Sequence, residues 1–271
     1  MASELIVNRY RLEGVLRQRG LATTYRAFDE QTREAVGVLL VRVSPAPRHL
    51  DRAFRVGSRL SHPGLIKYRA RIDADQHAGI VLDLVEGDPL LIALGAPPAA
   101  RNLGVVQARA FLALYDVVDY LHSQGLVHAN LAPDVVLVDS SGKLTVIDVG
   151  HCEELSSEER FWPDSFHGTL LYMSPEHATG RLAVESDYFS MGTLLFEHLI
   201  GSNPFQGAHV AEILGRLLAG DAARLQAQDG AIPPELREVV TRLLSLHLPT
   251  RRAGWRSLRE LLVKQAGTAS E

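Results

Sequence analysis

Residues 121–138 read LHSQGLVHANLAPDVVLV, followed by IDVG at 147–150 and GTLLYMSPE at 168–176. The apolar period over 105–122 is that of an amphipathic helix, and Gly125 stops it. Residues 135–138 and 144–147 are short apolar runs on either side of Asp139-Ser140-Ser141-Gly142, the composition of a hairpin turn. From Asp148 to Glu176 the period is lost, which predicts a long, mostly irregular segment.

Before this stretch the chain reads as strands with one helix. Residues 10–15 and 23–28 flank a turn region carrying Gly20, and 35–43 (AVGVLLVRV) is too short and too β-branched for a helix. Residues 48–60 place Leu50, Ala53, Phe54, Gly57 and Leu60 at helical spacing, and Ser61-His62-Pro63-Gly64 breaks the run. Strands follow at 65–72 and 79–84, and the composition changes at Glu86-Gly87-Asp88-Pro89. After the central stretch, 187–200, 208–219, 234–246 and 255–265 read as helices. The fold class is α+β, a small β-rich lobe followed by a large α-rich one.

The chain has 271 residues, 46% of them apolar and 22% charged, with a formal charge of −4. That suits a globular protein with a sizeable core and argues against a general nucleic-acid or membrane-surface binder. The single cysteine, Cys152, excludes an internal disulfide and a thiolate-rich metal site. No run reaches the 18 or more apolar residues of a membrane-spanning helix, and the first residues lack a signal-peptide core, so a cytoplasmic location is expected. Of the 28 basic residues only Lys67, Lys143 and Lys264 are lysines.

From 121 to 176 the sequence resembles the core of a protein kinase of the bacterial Ser/Thr type. The central quotation lies where that family has H-R-D-L-x-x-x-N, IDVG where it has D-F-G, and GTLLYMSPE where the activation segment ends. SDYFSMGTLLFEHLIGSNPF, LPTRRAGW, YRAFDEQT and RLSHPGLI resemble further kinase segments in the right order. The resemblance covers about residues 10–265. It implies a bilobal kinase fold, with an extension at 1–9, an N-lobe over about 10–85, a C-lobe over about 86–265 and a tail at 266–271.

The resemblance also locates the chemistry, and the residues there do not suit it. In the family's glycine loop stand Arg17, Arg19, Ala22 and Thr24. Two readings stay open for the arginines: a remodelled loop touching phosphate, or an ordinary turn with solvated side chains. Leu39 holds the place of the phosphate-gripping lysine, and no lysine precedes Lys67. Its glutamate partner aligns near Ala53, in a helix without glutamate. Asn130 replaces the catalytic aspartate, and an amide cannot serve as a base; general-base catalysis contributes roughly 10²–10⁴-fold. Ala132 replaces the accompanying lysine, and Val135 replaces the metal-binding asparagine. Asp148 survives as a lone metal-ligand candidate, or as a carboxylate kept for the turn. Gly37, Leu39, Leu82, Asp83, Val85, Leu137 and Asp148 are the expected lining of the nucleotide cleft, with Asp83–Val85 as its hinge strand. No cofactor or bound metal is expected.

His128, Glu176, Asp187, Gly192 and Arg252 match positions that hold the fold in kinases. The resemblance implies that Asp187 hydrogen-bonds backbone near His128 and that Glu176 pairs with Arg252. His122, His151 and His167 lack metal-ligand spacing and read as polar surface or turn residues. Residues 148–176 hold seven acids against one base, interrupted by Phe161, Trp162 and Phe166. These aromatics, with Glu158 and Glu159, form the expected docking surface for a partner protein, unless they fold back as core.

The expectation is thus a catalytically inactive pseudokinase, a regulatory or scaffolding module. Its partner would be another protein with a basic surface, or an active kinase or signalling protein. The alternative is a nucleotide-binding switch or weak atypical kinase, using Asp148 with Arg17, Arg19 or Arg26.

Overall fold

The computed structural model describes residues 5–19, 22–41, 48–74, 77–99, 101–155, 169–220 and 232–267. The chain divides into one unit of Met1–Glu86 with Ile147–His151 and a second of Gly87–Val146 with Cys152–Glu271.

The first unit is built on strands β1 (Leu5–Ile6), β2 (Tyr10–Arg19), β3 (Ala22–Asp29), β4 (Glu34–Val41), β5 (Tyr68–Ala74) and β6 (His77–Asp83), with helix α1 (Arg48–Gly57). The strands form one antiparallel sheet in the order β1-β2-β3-β4-β6-β5. Period-two alternation sends Val36, Val38 and Leu40 of β4 to one face, where they join Ile6, Tyr10, Ala27, Ile72 and Val81 in a core. Gly37 and Leu39 therefore point to the other face. Within the expected extension at 1–9, Leu5–Ile6 is an edge strand, Ile6 enters the core, and Arg9 grips buried Asp29 with two hydrogen bonds of 2.8 and 2.7 Å.

The second unit opens with β7 (Asp88–Pro89), α2 (Leu90–Ala93) and α3 (Val105–Ser123), followed by β8 (Leu126–Val127), β9 (Val136–Val138) and β10 (Leu144–Val146). Then come β11 (Glu153–Glu154), α4 (Pro175–Ala178), α5 (Val184–Ile200), α6 (Val210–Ala219), α7 (Pro234–Leu243) and α8 (Leu248–Gly267). Small sheets run β10-β9-β7 and β11-β8. The core lies where α3, α5, α7 and α8 meet, with Phe111, Leu114, Phe189, Phe196, Leu243 and Leu258 out of water. Gly192 is needed here: a Cβ on it would lie 2.7 Å from that of Leu243, so its absence lets α5 approach α7. The sequence placed the last helix at 255–265, but α8 begins at Leu248 and so carries Arg251 and Arg252 within a helix. No helix among the described residues is long and apolar enough to cross a membrane.

Candidate functional site

In the first unit, the sheet register fixes what surrounds Leu39. Directly opposed residues share a face, and Leu39 is flanked by Thr24 on β3 and Ile80 on β6, with Arg17 beyond Thr24 on β2. Gly37 lies between Arg26 and Leu82, and a Cβ on it would come within 3.3 Å of the Asp83 carbonyl oxygen. Leu39 is half-buried and Leu82 buried, while Asp83 takes a hydrogen bond from Arg69. Arg17 Nη2 donates to the Val85 carbonyl oxygen at 3.1 Å. Arg26 pairs with Glu13 at 3.3 Å and also with Glu86. The Arg17 guanidinium thus reaches an acceptor of the chain itself. Arg19 is described in backbone only.

Helix α1 presents Ala53 where the resemblance placed a glutamate. A Cβ on Gly150 would sit 3.1 Å from that of Ala53 and 3.5 Å from Asp148 Oδ1, so α1 lies directly against the Asp148–Gly150 turn. His151 Nε2 is 3.5 Å from Asp148 Oδ2, and both side chains are partly exposed. Asp148 thus has an imidazole beside it.

In the second unit, Asp187 is fully buried near the start of α5, and its carboxylate organises the stretch that decided the fold. Oδ2 accepts the His128 backbone N–H at 2.8 Å and Oδ1 that of Ala129 at 2.9 Å, while His122 Nε2 lies 2.8 Å from Oδ2. Burial raises the Asp187 carboxyl, but His122 and these donors outweigh it and hold it below its ordinary value. Ala129 sits at φ +63°, a left-handed conformation that side chains rarely adopt and that the two bonds pin. His122, read as a surface or turn residue, is largely buried at the end of α3. Nothing local to His122 signals this, because its partner is 65 residues away.

The positions that would carry chemistry follow this clamp. The Asn130 N–H donates to His128 Nδ1 at 3.3 Å; its own Oδ1 is buried and meets no hydrogen-bond donor among the described residues. Ala132, Val135 and Leu137 are buried hydrocarbon. A magnesium ion asks for several oxygen ligands, and Val135 offers none; in the first unit, Asp148 is the one carboxylate of its turn and has His151 beside it. No group of three or more metal-ligating side chains occurs among the described residues.

The expected pair of Glu176 with Arg252 is corrected to Glu176 with Arg251. Arg251 Nη1 lies 2.7 Å from Glu176 Oε1, its side chain is 0% exposed, and its guanidinium stands 4.8 Å from the centre of the Phe189 ring. Burial raises the Glu176 carboxyl, but the hydrogen bond and charge of Arg251 more than offset this and lower it. Arg252, 61% exposed, pairs instead with buried Glu185. Adjacent residues on a helix point about 100° apart, so α8 can turn only one of the two inward. Ser186 also donates to Glu176 at 2.8 Å, and Ser174 caps α4 through the His177 N–H. Cys152 is a free, buried thiol. Glu158, Glu159, Phe161, Trp162 and Phe166 lie outside the described residues.

Residues 18–262 match the model of the protein kinase domain. The chain is 27% identical over 244 residues to the serine/threonine-protein kinase PrkC of Bacillus subtilis, covering 87% of this chain and 37% of that protein. Against the probable serine/threonine-protein kinase PknB of Lactococcus lactis it is 26% identical over 256 residues, covering 92% and 40%. Against human ribosomal protein S6 kinase alpha-2 it is 30% identical over 187 residues, covering 68% and 25%. The chain therefore spans about a quarter to two-fifths of the length of these three relatives.

Proposed function

Because the chain belongs to the protein kinase domain family, we propose that it keeps the family's fold without its phosphotransfer chemistry, as a pseudokinase that acts by binding another protein. One observation carries this reading. Within ten residues, the backbone of His128 and Ala129 is held by a fully buried carboxylate, while Asn130 supplies no base and Ala132 and Val135 supply neither base nor metal ligand. The contacts that shape the loop are kept, and the groups that would use that shape are gone. Phosphoryl transfer depends on positioning and charge neutralisation by several groups together. Leu39 offers no charge to a phosphate, and Asp148 alone makes a poor metal site.

The test is phosphate transfer from radiolabelled ATP to a generic protein substrate by the purified chain. No transfer is expected, and Asn130→Asp alone should not restore it, because site residues act as a unit. Turnover that Asp148→Ala abolishes would overturn the proposal. A role through a protein partner further predicts a specific binding protein recovered with the chain, whose binding is indifferent to Asp148→Ala.

A further inference from the structure

The alternative of a nucleotide switch gave Arg17 the task of gripping phosphate. The register gives it another. Between Val15 and Arg17 the β2–β3 pairing shifts, so that Arg17 rather than Leu16 stands opposite Thr24. Such a bulge re-aims a side chain, and here it places Arg17 on the sheet face that carries Gly37 and Leu39. From there its guanidinium crosses to the Val85 carbonyl at 3.1 Å, while Arg26, from the same face, crosses to the carboxylate of Glu86. Val85 lies two residues past the end of β6, beyond its strand ladder, and the resemblance to kinases is what places it in the lining of a nucleotide cleft.

We propose that Arg17 is a plug. By holding the Val85 carbonyl from the sheet face that carries Gly37 and Leu39, it excludes adenine and similar flat heterocycles from the small unit. This rests on the pseudokinase reading and deepens it: the nucleotide side is closed by a side chain, and not merely stripped of its phosphate contacts. A guanidinium fork with several donors is well suited to such a latch, and it cannot be released by deprotonation.

The experiment is calorimetric titration of the full chain with adenosine, and separately with ADP and magnesium, for the native protein and for Arg17→Ala. The native protein is expected to show no saturation at about millimolar ligand, and the variant to bind adenosine at least about tenfold tighter, with no dependence on magnesium. Should Arg17→Ala fail to fold, as a melting curve would reveal, Arg17→Gln keeps the stem in the strand without the charged fork and carries the same expectation. Equal adenosine binding by native and variant chains, or no gain in a folded variant, overturns the plug. The assay contains no phosphoryl donor for a protein substrate, so its failure is distinct from failure of the inactive-kinase reading, which only transfer of phosphate would sink.

Discussion

The two units use the same residue types in opposite ways. In the strand unit, arginine–carboxylate contacts lie mostly in water: Arg11 with Glu13 and Glu30, Arg26 with Glu13 and Glu86, Arg69 with Glu34 and Asp83. Arg9–Asp29 is the exception, with a buried acid. In the helical unit, the decisive charges are out of water: Asp187 under the His128–Ala129 backbone, Arg251 against Glu176, and Glu185 beside Arg252. An exposed pair is worth little, because water solvates both partners nearly as well as they solvate each other. A buried pair is hard to lose by halves, because the remaining charge has no water to turn to. The difference explains which features a chain can change. Leu39, where the resemblance implies a lysine, sits on a half-buried strand face at small cost. Asp187 cannot be replaced without unpinning a left-handed Ala129.

The sharpest test of that contrast sets neighbours against each other. Arg251→Ala should destabilise by about 3–5 kcal/mol, since it strands Glu176 and empties a fully buried site over Phe189. Arg252→Ala should cost clearly less, because water can replace an exposed guanidinium beside Glu185. Urea denaturation of both variants decides it. Equal losses would mean that burial does not set the worth of these charges.

A second test works through pH. His198 on α5 is buried against Phe111, at 5.9 Å between ring centres, and neither ring nitrogen has a hydrogen-bond partner among the described residues. Burial lowers its pKa below the ordinary 6.5. The unfolded chain therefore takes up this proton before the folded one does. The stability is fully present above about pH 6.5 and is lost as pH falls toward the folded value, by up to about 1.4 kcal/mol per pH unit. His198→Phe should flatten stability between about pH 6.5 and 5. A native profile already flat there would show that protonation meets an acceptor this account lacks. At lower pH, Glu176 and Asp187, both held below their usual range, should add their own loss.

Much of this architecture was legible because periodicity and turn composition are local. The apolar period over 105–122, the Asp139–Gly142 turn and the short β-branched run AVGVLLVRV all describe neighbours in sequence, and the structure has α3, the β9–β10 hairpin and β4 there. The resemblance then supplied Asp187 and its backbone partners. What was not legible depended on facing directions. The choice between Arg251 and Arg252 needs the helical phase of a segment that reads as loop when the last helix is taken to start at Trp255. His122 needed a partner on another helix. Leu5–Ile6 is too short to show a period at all. Arg17 depended on a single bulge, and no pattern in RQRGLATT announces which residue a bulge will turn inward.

The smallest expected effect lies at the other end of the comparison. Arg69 on β5 bridges Glu34 at 2.6 Å and Asp83 at 2.5 Å, tying three strands at their exposed surface. The hydrogen bonds that Arg69 donates to Asp83 and Glu34 raise its pKa, which records a real attraction, yet about a third of the side chain stays in water and both acids are exposed. Solvent screening should therefore reduce the pair to about 1 kcal/mol or less, and Arg69→Ala should shift the urea midpoint only slightly. The shift should also shrink as salt rises from about 0.05 to 0.5 M, where the screening length falls below the spacing of the wider charge ladder. Arg251→Ala should show almost no salt dependence over the same range, because counterions do not enter the space between Arg251 and Glu176. If the two variants instead respond to salt alike, the division of this chain into replaceable surface charges and fixed interior ones is wrong.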